Sequence, residues 1–170
     1  MRPPADLATL PRRRAVRVVL STPEHDLVLL PTCDPARPSR LPWWELPGGG
    51  IESAESTEEA AVRELGEELG VDITTEQVAV GRWTRTVVYP RADGWWWQDE
   101  TVVQVALDQV PAWSLTGRTA EEQAAHGQPR WWSVDEVTTS AERFFPDSLP
   151  TALPRFLRGE RIVEGPAVFW

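Results

Sequence analysis

Three glutamates, Glu64, Glu67 and Glu68, stand at i, i+3 and i+4. On a helix this spacing gathers their carboxylates on one patch, and clustered carboxylate oxygens suit a hard divalent cation such as Mg2+ or Mn2+. A solvated helix face is the ordinary use of such a run, but its local cost here is high. Like charges at these spacings cost roughly 0.2–0.5 kcal/mol per pair, and in a last helical turn the dipole also disfavours anions. Gly66, between them, adds a helix-propensity cost of roughly 0.8–1.0 kcal/mol relative to alanine. A turn that breaks several local rules together points to a site.

The elements that must position these residues are legible around them. Ser56-Thr57-Glu58-Glu59 is a capping-box sequence, and Ala61, Leu65 and Leu69 repeat as one apolar face before Gly70 ends the helix. Upstream, Pro47-Gly48-Gly49-Gly50 forms a loop whose backbone can turn tightly and bring a carbonyl, such as that of Gly48, to a metal. Ala15 to Leu20 and Leu27 to Leu30 are β-favouring runs joined by what resembles a hairpin connection, so two paired strands are expected. Gln77 to Tyr89 and Trp95 to Leu107 form a second, longer hairpin, with turn chemistry at Arg91-Ala92-Asp93-Gly94. Farther on come an irregular connection over Pro111 to Gly127 with a short helix near Ala120 to Ala125, and a last strand at Arg130-Trp131-Trp132. A capping box at Ser133 and a final helix over Leu149 to Arg158 complete the chain. The pattern is α+β, with a mixed sheet between helices.

The chain has 170 residues, enough for one domain with its own core. Residues 1–12 are expected as a flexible tail, 13–160 as the domain and 161–170 as a C-terminal extension. Cys33 is the single cysteine, which excludes a disulfide framework and a Cys-rich metal site and suits a reducing cytoplasm. The basic residues are all arginine, yet the formal charge is −9, so broad binding to a nucleic-acid polymer is disfavoured. The apolar run near the start is broken by Arg17 and too short for a signal peptide, and there is no run long enough to span a membrane.

From Gly49 the residues read Gly49, five positions, Glu55, seven positions, Arg63-Glu64-Leu65, one position, Glu67-Glu68, one position, Gly70-Val71. This resembles the Nudix box at every defined position, a match expected by chance on the order of 10⁻⁹ per window. The resemblance extends over roughly residues 13 to 158. It implies the Nudix fold, a mixed β-sheet sandwiched between helices (α/β/α), and a divalent-metal-dependent pyrophosphohydrolase that cleaves a nucleoside diphosphate derivative by attack of water on phosphorus. It also implies Glu64, Glu67 and Glu68 as metal ligands, the carbonyl of Gly48 completing the shell, and Glu55 supporting the loop and helix. Arg63, which by spacing can pair with Glu67 or orient Glu64, takes the latter role in that family. Ala54 departs from the pattern, since many members carry glycine there.

A further carboxylate, as metal ligand or general base, is expected from Glu100, with Asp99 second. Trp43, Trp44 and Trp96 are candidates to stack on a flat substrate group, and Arg85 to meet phosphate, although Arg82, Arg85 and Arg91 each read first as solvated strand residues. His25 and His126 read as surface residues far from the box. The partner is a small nucleotide-type diphosphate, with Mg2+ or Mn2+ as cofactor, neither nucleic-acid polymer nor membrane, and a homodimer allowed. A noncatalytic Nudix-fold nucleotide sensor is the alternative; such a protein would be expected to lose the box carboxylates. A diphosphate isomerase is disfavoured because Cys33 lies in a Pro-rich loop.

Overall fold

The computed structural model describes residues 6–91 and 94–168, with the side chain of Val80 left aside. Eight strands and four helices follow in the order β1 (Arg12–Ser21), β2 (Leu27–Thr32), β3 (Trp43–Glu45), α1 (Thr57–Leu69), β4 (Val78–Arg91), β5 (Gly94–Ala106), α2 (Ala120–Ala125), β6 (Arg130–Trp132), α3 (Val134–Thr139), β7 (Phe144–Phe145), α4 (Leu149–Leu157) and β8 (Ile162–Val168). They form two four-stranded mixed sheets, ordered β1-β5-β4-β8 and β6-β2-β3-β7.

The chain is α+β as expected, and apolar side chains on both faces of the strands explain the layering. Val18 and Leu20 of β1 and Val28 and Leu30 of β2 join Ala61, Leu65 and Leu69 of α1 in one core. Their neighbours Val19, Leu27 and Leu29 face the other way, into a second core with Val137 of α3 and Leu149, Leu153 and Phe156 of α4. Alternation at period two therefore buries both faces. Each fully buried large aliphatic side chain in these cores stabilises the fold by roughly 1.5–3 kcal/mol.

Two expectations about pairing are corrected. β1 and β2 are not a hairpin pair: β1 runs parallel to β5, while β2 pairs antiparallel with β3 and β6. Only the Thr22–His25 bridge closes the turn between them, because each strand has two apolar faces and is drawn into a different sheet. Nor is β6 the last strand. β7 has two residues, too few for a periodic signal, and β8 carries Gly165 and Pro166, which argue against a strand by propensity. β8 lies at a sheet edge, where proline is tolerated, and pairs parallel with β4 through a register shift. The residues after 160, expected as an extension, thus supply a strand. The β4–β5 hairpin is present over its whole length, with Arg91 opposite Gly94; Ala92 and Asp93 of the expected turn lie outside the described residues.

The feature that matters most for the site is the path of residues 47–51 along the free edge of β1. Val18 and Val16 donate to the carbonyls of Pro47 and Gly49 at 2.9 and 3.0 Å, and Ile51 donates to Arg14 at 3.0 Å. The glycine loop is thereby fixed to the sheet. No helix among the described residues is long and apolar enough to cross a membrane.

Candidate active site

α1 begins where the capping box predicts. The Ser56 hydroxyl accepts from the Glu59 N–H at 3.1 Å, and the Glu59 carboxylate accepts from the Ser56 N–H at 2.8 Å. The helix closes on Gly70, whose N–H reaches back to Gly66 and Leu65. With the apolar face packed under the sheet, Glu64 and Glu68 are carried inward and are only 5% and 2% exposed.

The glycine loop covers these carboxylates. A Cβ at Gly49 would come within 2.5 Å of Glu64 Oε1, so only glycine permits this approach. Gly48, at φ 124°, aims its N–H at Glu68 Oε2 at 2.7 Å. Arg63 ties loop and helix together. Its guanidinium grips both oxygens of Glu55 at 2.9 Å, donates to the Gly50 carbonyl at 2.8 Å, and reaches Glu64 at 2.9 Å and Glu67 at 3.2 Å. Both pairings allowed by the spacing are made at once. Ala54 adopts φ 70°, the left-handed conformation that explains why glycine would suit this position.

A third carboxylate arrives from α2. Oxygens of Glu64, Glu68 and Glu122 lie within 4.8 Å of one another. Burial pushes Glu68 up to about 8, against the Gly48 hydrogen bond and the attraction of Arg17. Burial likewise raises Glu64, with Arg63 opposing. Carboxylates resist ionisation in such surroundings unless positive charge is supplied, and an all-oxygen donor set of this kind suits Mg2+ or Mn2+. The residues present fit the cation that the box implies.

His126 faces the same group, which corrects the expectation that it is a remote surface residue. Its Nδ1 is 3.9 Å from Glu68 Oε1 and its Nε2 is 3.9 Å from Glu45 Oε1. Burial, outweighing the attraction of Glu45, holds the imidazole below its usual value, so a neutral base stands beside the carboxylates. Glu45 in turn accepts from Trp43 Nε1 at 3.0 Å and Thr32 Oγ1 at 3.1 Å. Arg118 locks this corner, donating to the Glu68 carbonyl at 3.0 Å and to the carbonyls of His126 and Gly127 at 3.2 and 3.0 Å. It satisfies a carbonyl at the end of α1 while pinning the segment that carries His126.

The other expected site residues are spread around this centre. Glu67 lies at its rim, with its side chain 43% exposed on Arg63, outside the group of three. Glu100 is buried behind the glycine loop between Arg85 Nε at 2.7 Å and Arg17 Nε at 3.3 Å, and it too is outside that group. Arg17 also donates to the Gly48 carbonyl at 2.6 Å, so the carbonyl expected to face a metal is engaged by a guanidinium. Arg85 is not a solvated strand residue: it is 4% exposed, packed over Phe145 at 4.4 Å. Trp43 is buried, Trp44 packs edge-on against Trp132, and Trp96 is half-buried beneath Arg91. His25 stacks on Trp131.

Sequence reasoning missed Glu45, Arg17, Glu122 and His126. For the first two a signal existed, a charge inside an apolar run at Trp43 to Leu46 and at Ala15 to Leu20. Such charges are costly unless partnered, and hence informative. For Glu122 and His126 there was none, because they approach α1 only through the packing of an irregular segment.

Comparison with known proteins bears on the family and the fold. The family model for the NUDIX domain matches residues 11–153. The chain is 30% identical over 125 residues to the uncharacterized Nudix hydrolase YvcI of Bacillus subtilis, covering 74% of this chain and 68% of that protein. It is 41% identical over 75 residues to an RNA pyrophosphohydrolase of Dinoroseobacter shibae, covering 44% of each. The match thus spans less than half the length of that relative. Among solved structures, a MutT protein from Methanosarcina mazei superposes with a TM-score of 0.64 at 18% identity, covering 89% of this chain and 96% of that one.

Proposed function

The chain belongs to the Nudix family, and on that premise we propose that it is a divalent-metal-dependent pyrophosphohydrolase cleaving the diphosphate linkage of a nucleoside diphosphate derivative by attack of water on phosphorus. The observation that carries this reading is the convergence of Glu64, Glu68 and Glu122 within 4.8 Å, two of them buried. Glu64, Glu68 and Glu122 would hold the cation, with Glu67 at the rim. A cation there would supply Lewis-acid polarisation of a phosphoryl oxygen and a more acidic water.

The chain's own residues do the rest. Arg63 orients Glu64 and, through Glu55 and the Gly50 carbonyl, keeps the loop on the helix. Gly48 fixes Glu68 through its N–H, and Arg17 fixes Gly48 through its carbonyl. His126 stands where it can accept a proton from a water at the carboxylates. Glu100, ion-paired with two arginines, supports Arg17 from behind and acts through it. The name of the Dinoroseobacter relative, a pyrophosphohydrolase, supports the same reaction class.

The test is a phosphate-release screen over diphosphate compounds with Mg2+ or Mn2+, comparing the native chain with Glu64→Gln and Glu68→Gln. Each substitution is expected to lower turnover at least about a hundredfold, the upper range for residues that merely support metal ligands. Equal turnover in the variants would remove the carboxylates from the mechanism. Tight nucleotide binding without turnover of any compound would favour a sensor.

A further inference from the structure

His126 stands between two carboxylates with different surroundings. Its Nδ1 is 3.9 Å from Glu68 Oε1, and its Nε2 is 3.9 Å from Glu45 Oε1. A neutral imidazole has one N–H and one bare nitrogen, so only one of its two edges can offer a lone pair to a water at the Glu64, Glu68 and Glu122 group. Which nitrogen carries the proton therefore decides whether the ring can act there.

The backbone that carries the ring is fixed. His126 bridges to Thr32 of β2, its N–H donates to the Glu122 carbonyl at 2.8 Å, and its own carbonyl accepts from Arg118 at 3.2 Å. Gly127 donates to the Pro31 carbonyl at 2.8 Å. The side chain is 11% exposed, and Nδ1 is buried without a hydrogen bond. What remains to be set is the place of the proton.

Glu45 supplies the asymmetry. It lies in β3 opposite Leu30 of β2 and is buried. Both of its oxygens already accept, Oε2 from the Trp43 indole N–H at 3.0 Å and Oε1 from the Thr32 hydroxyl at 3.1 Å. A carboxylate with donors on both oxygens is an acceptor toward a third neighbour as well. An acceptor facing Nε2 calls for a hydrogen there, which leaves the lone pair on Nδ1, toward Glu68. At 3.9 Å both contacts are longer than hydrogen bonds, as catalytic contacts often are before a substrate complex forms.

We propose that Glu45 is a positioning residue for His126: it keeps the imidazole proton on Nε2, so that Nδ1 presents a bare nitrogen to the carboxylate group. A carboxylate holds the working tautomer of a histidine in the same way in serine hydrolases. The consequence for turnover rests on the pyrophosphohydrolase reading above, whereas the state of the ring does not.

In Glu45→Gln the amide can turn only one way. An indole N–H only donates, so the amide oxygen stays with Trp43. The amide nitrogen then takes the place of Oε1, where the Thr32 hydroxyl can accept from it by turning its own hydrogen to the Leu30 carbonyl at 3.3 Å. A donor now faces Nε2, and the proton is expected to move to Nδ1.

The chain has two histidines, so the ring nitrogens of 15N-histidine-labelled protein are assigned with a His25→Gln variant. Long-range 1H–15N correlation spectra are recorded on the full chain with Mg2+ at about pH 7.5, above the ordinary histidine value. The native His126 ring is expected with its proton on Nε2, and the Glu45→Gln ring with its proton on Nδ1. Thr32→Val disturbs the same cluster but leaves the carboxylate, so its tautomer is expected to match the native one. A native ring protonated on Nδ1 overturns the proposal without any variant. So does a Glu45→Gln ring that keeps the native tautomer, or a Thr32→Val ring that loses it. On a compound that the native chain hydrolyses, Glu45→Gln is expected to lower kcat about tenfold or more with KM little changed. An inverted tautomer with kcat unchanged overturns the positioning role. An inverted tautomer in a chain whose native form hydrolyses nothing overturns the reaction reading and leaves Glu45 assigned to the ring.

Discussion

Glu100 meets two guanidiniums in a place almost closed to water, with Arg85 and Arg17 both paired to it. Arg17 also donates through Nη1 to the Leu46 and Gly48 carbonyls. A sequence can suggest that an acid in this hairpin serves a metal, but only the fold reveals that β1 runs beside β5 and sets Arg17 against it. The two roles have different consequences for Glu100→Gln. As the centre of an ion-paired cluster, its neutralisation leaves two buried cations unbalanced, a loss of about 3–5 kcal/mol when one partner of a buried pair is removed. The lower end is expected, because the amide oxygen still accepts a hydrogen bond. Denaturant unfolding measures this, and a variant as stable as the native chain but inactive would return Glu100 to direct contact with the cation or substrate.

At the level of elements, the reading from sequence was strongest where the signal is local. The capping boxes at Ser56 and Ser133 each start a helix, and the β4–β5 hairpin forms where β-branched and aromatic residues cluster. Strand partners were less legible, since β1 and β2 have apolar residues on both faces and such runs do not say which sheet will take them. β7 and β8 escaped because one is too short and the other too rich in glycine and proline. The loop and helix of the site also hold two residues placed against backbone preference. Gly66 lies inside α1, where an added Cβ meets nothing, and Ala54 sits exposed at φ 70°. Gly66→Ala is expected to stabilise by roughly 0.8–1.0 kcal/mol from helix propensity. Ala54→Gly relieves a left-handed conformation worth about 1–2 kcal/mol and loses roughly 0.5–1 kcal/mol to the freer unfolded chain, a net gain of roughly 0–1.5 kcal/mol. Thermal unfolding of the two variants checks both, and a destabilised Ala54→Gly protein would show that the strain at this loop is absent in solution.

On the scale of the whole molecule, the box identified the chemistry, whereas half of the centre came from a segment whose approach to α1 was not legible in the sequence. Glu122 and His126 reach α1 because Arg118 binds the Glu68 carbonyl on one side and the His126 and Gly127 carbonyls on the other. The assembled centre couples stability to pH and to metal. In the metal-free fold Glu68 is raised from the ordinary 4.5 to about 8, chiefly by burial, so between these values the native chain retains a proton that the unfolded chain has lost. The contribution of this group is then fully present below pH 4.5, declines as pH rises, and is gone above about 8. A cation reverses the preference by favouring the ionised carboxylate and by binding only the folded chain. At a hundred times its dissociation constant it adds about 2.7 kcal/mol, roughly 5–10 °C in Tm for a domain of this size. Thermal unfolding in chelator should therefore give a lower Tm at pH 8.5 than at pH 6, and Mn2+ should raise the value more at pH 8.5. A shift from Mn2+ that is the same at both pH values, or that persists in Glu68→Gln, would place the cation away from Glu68.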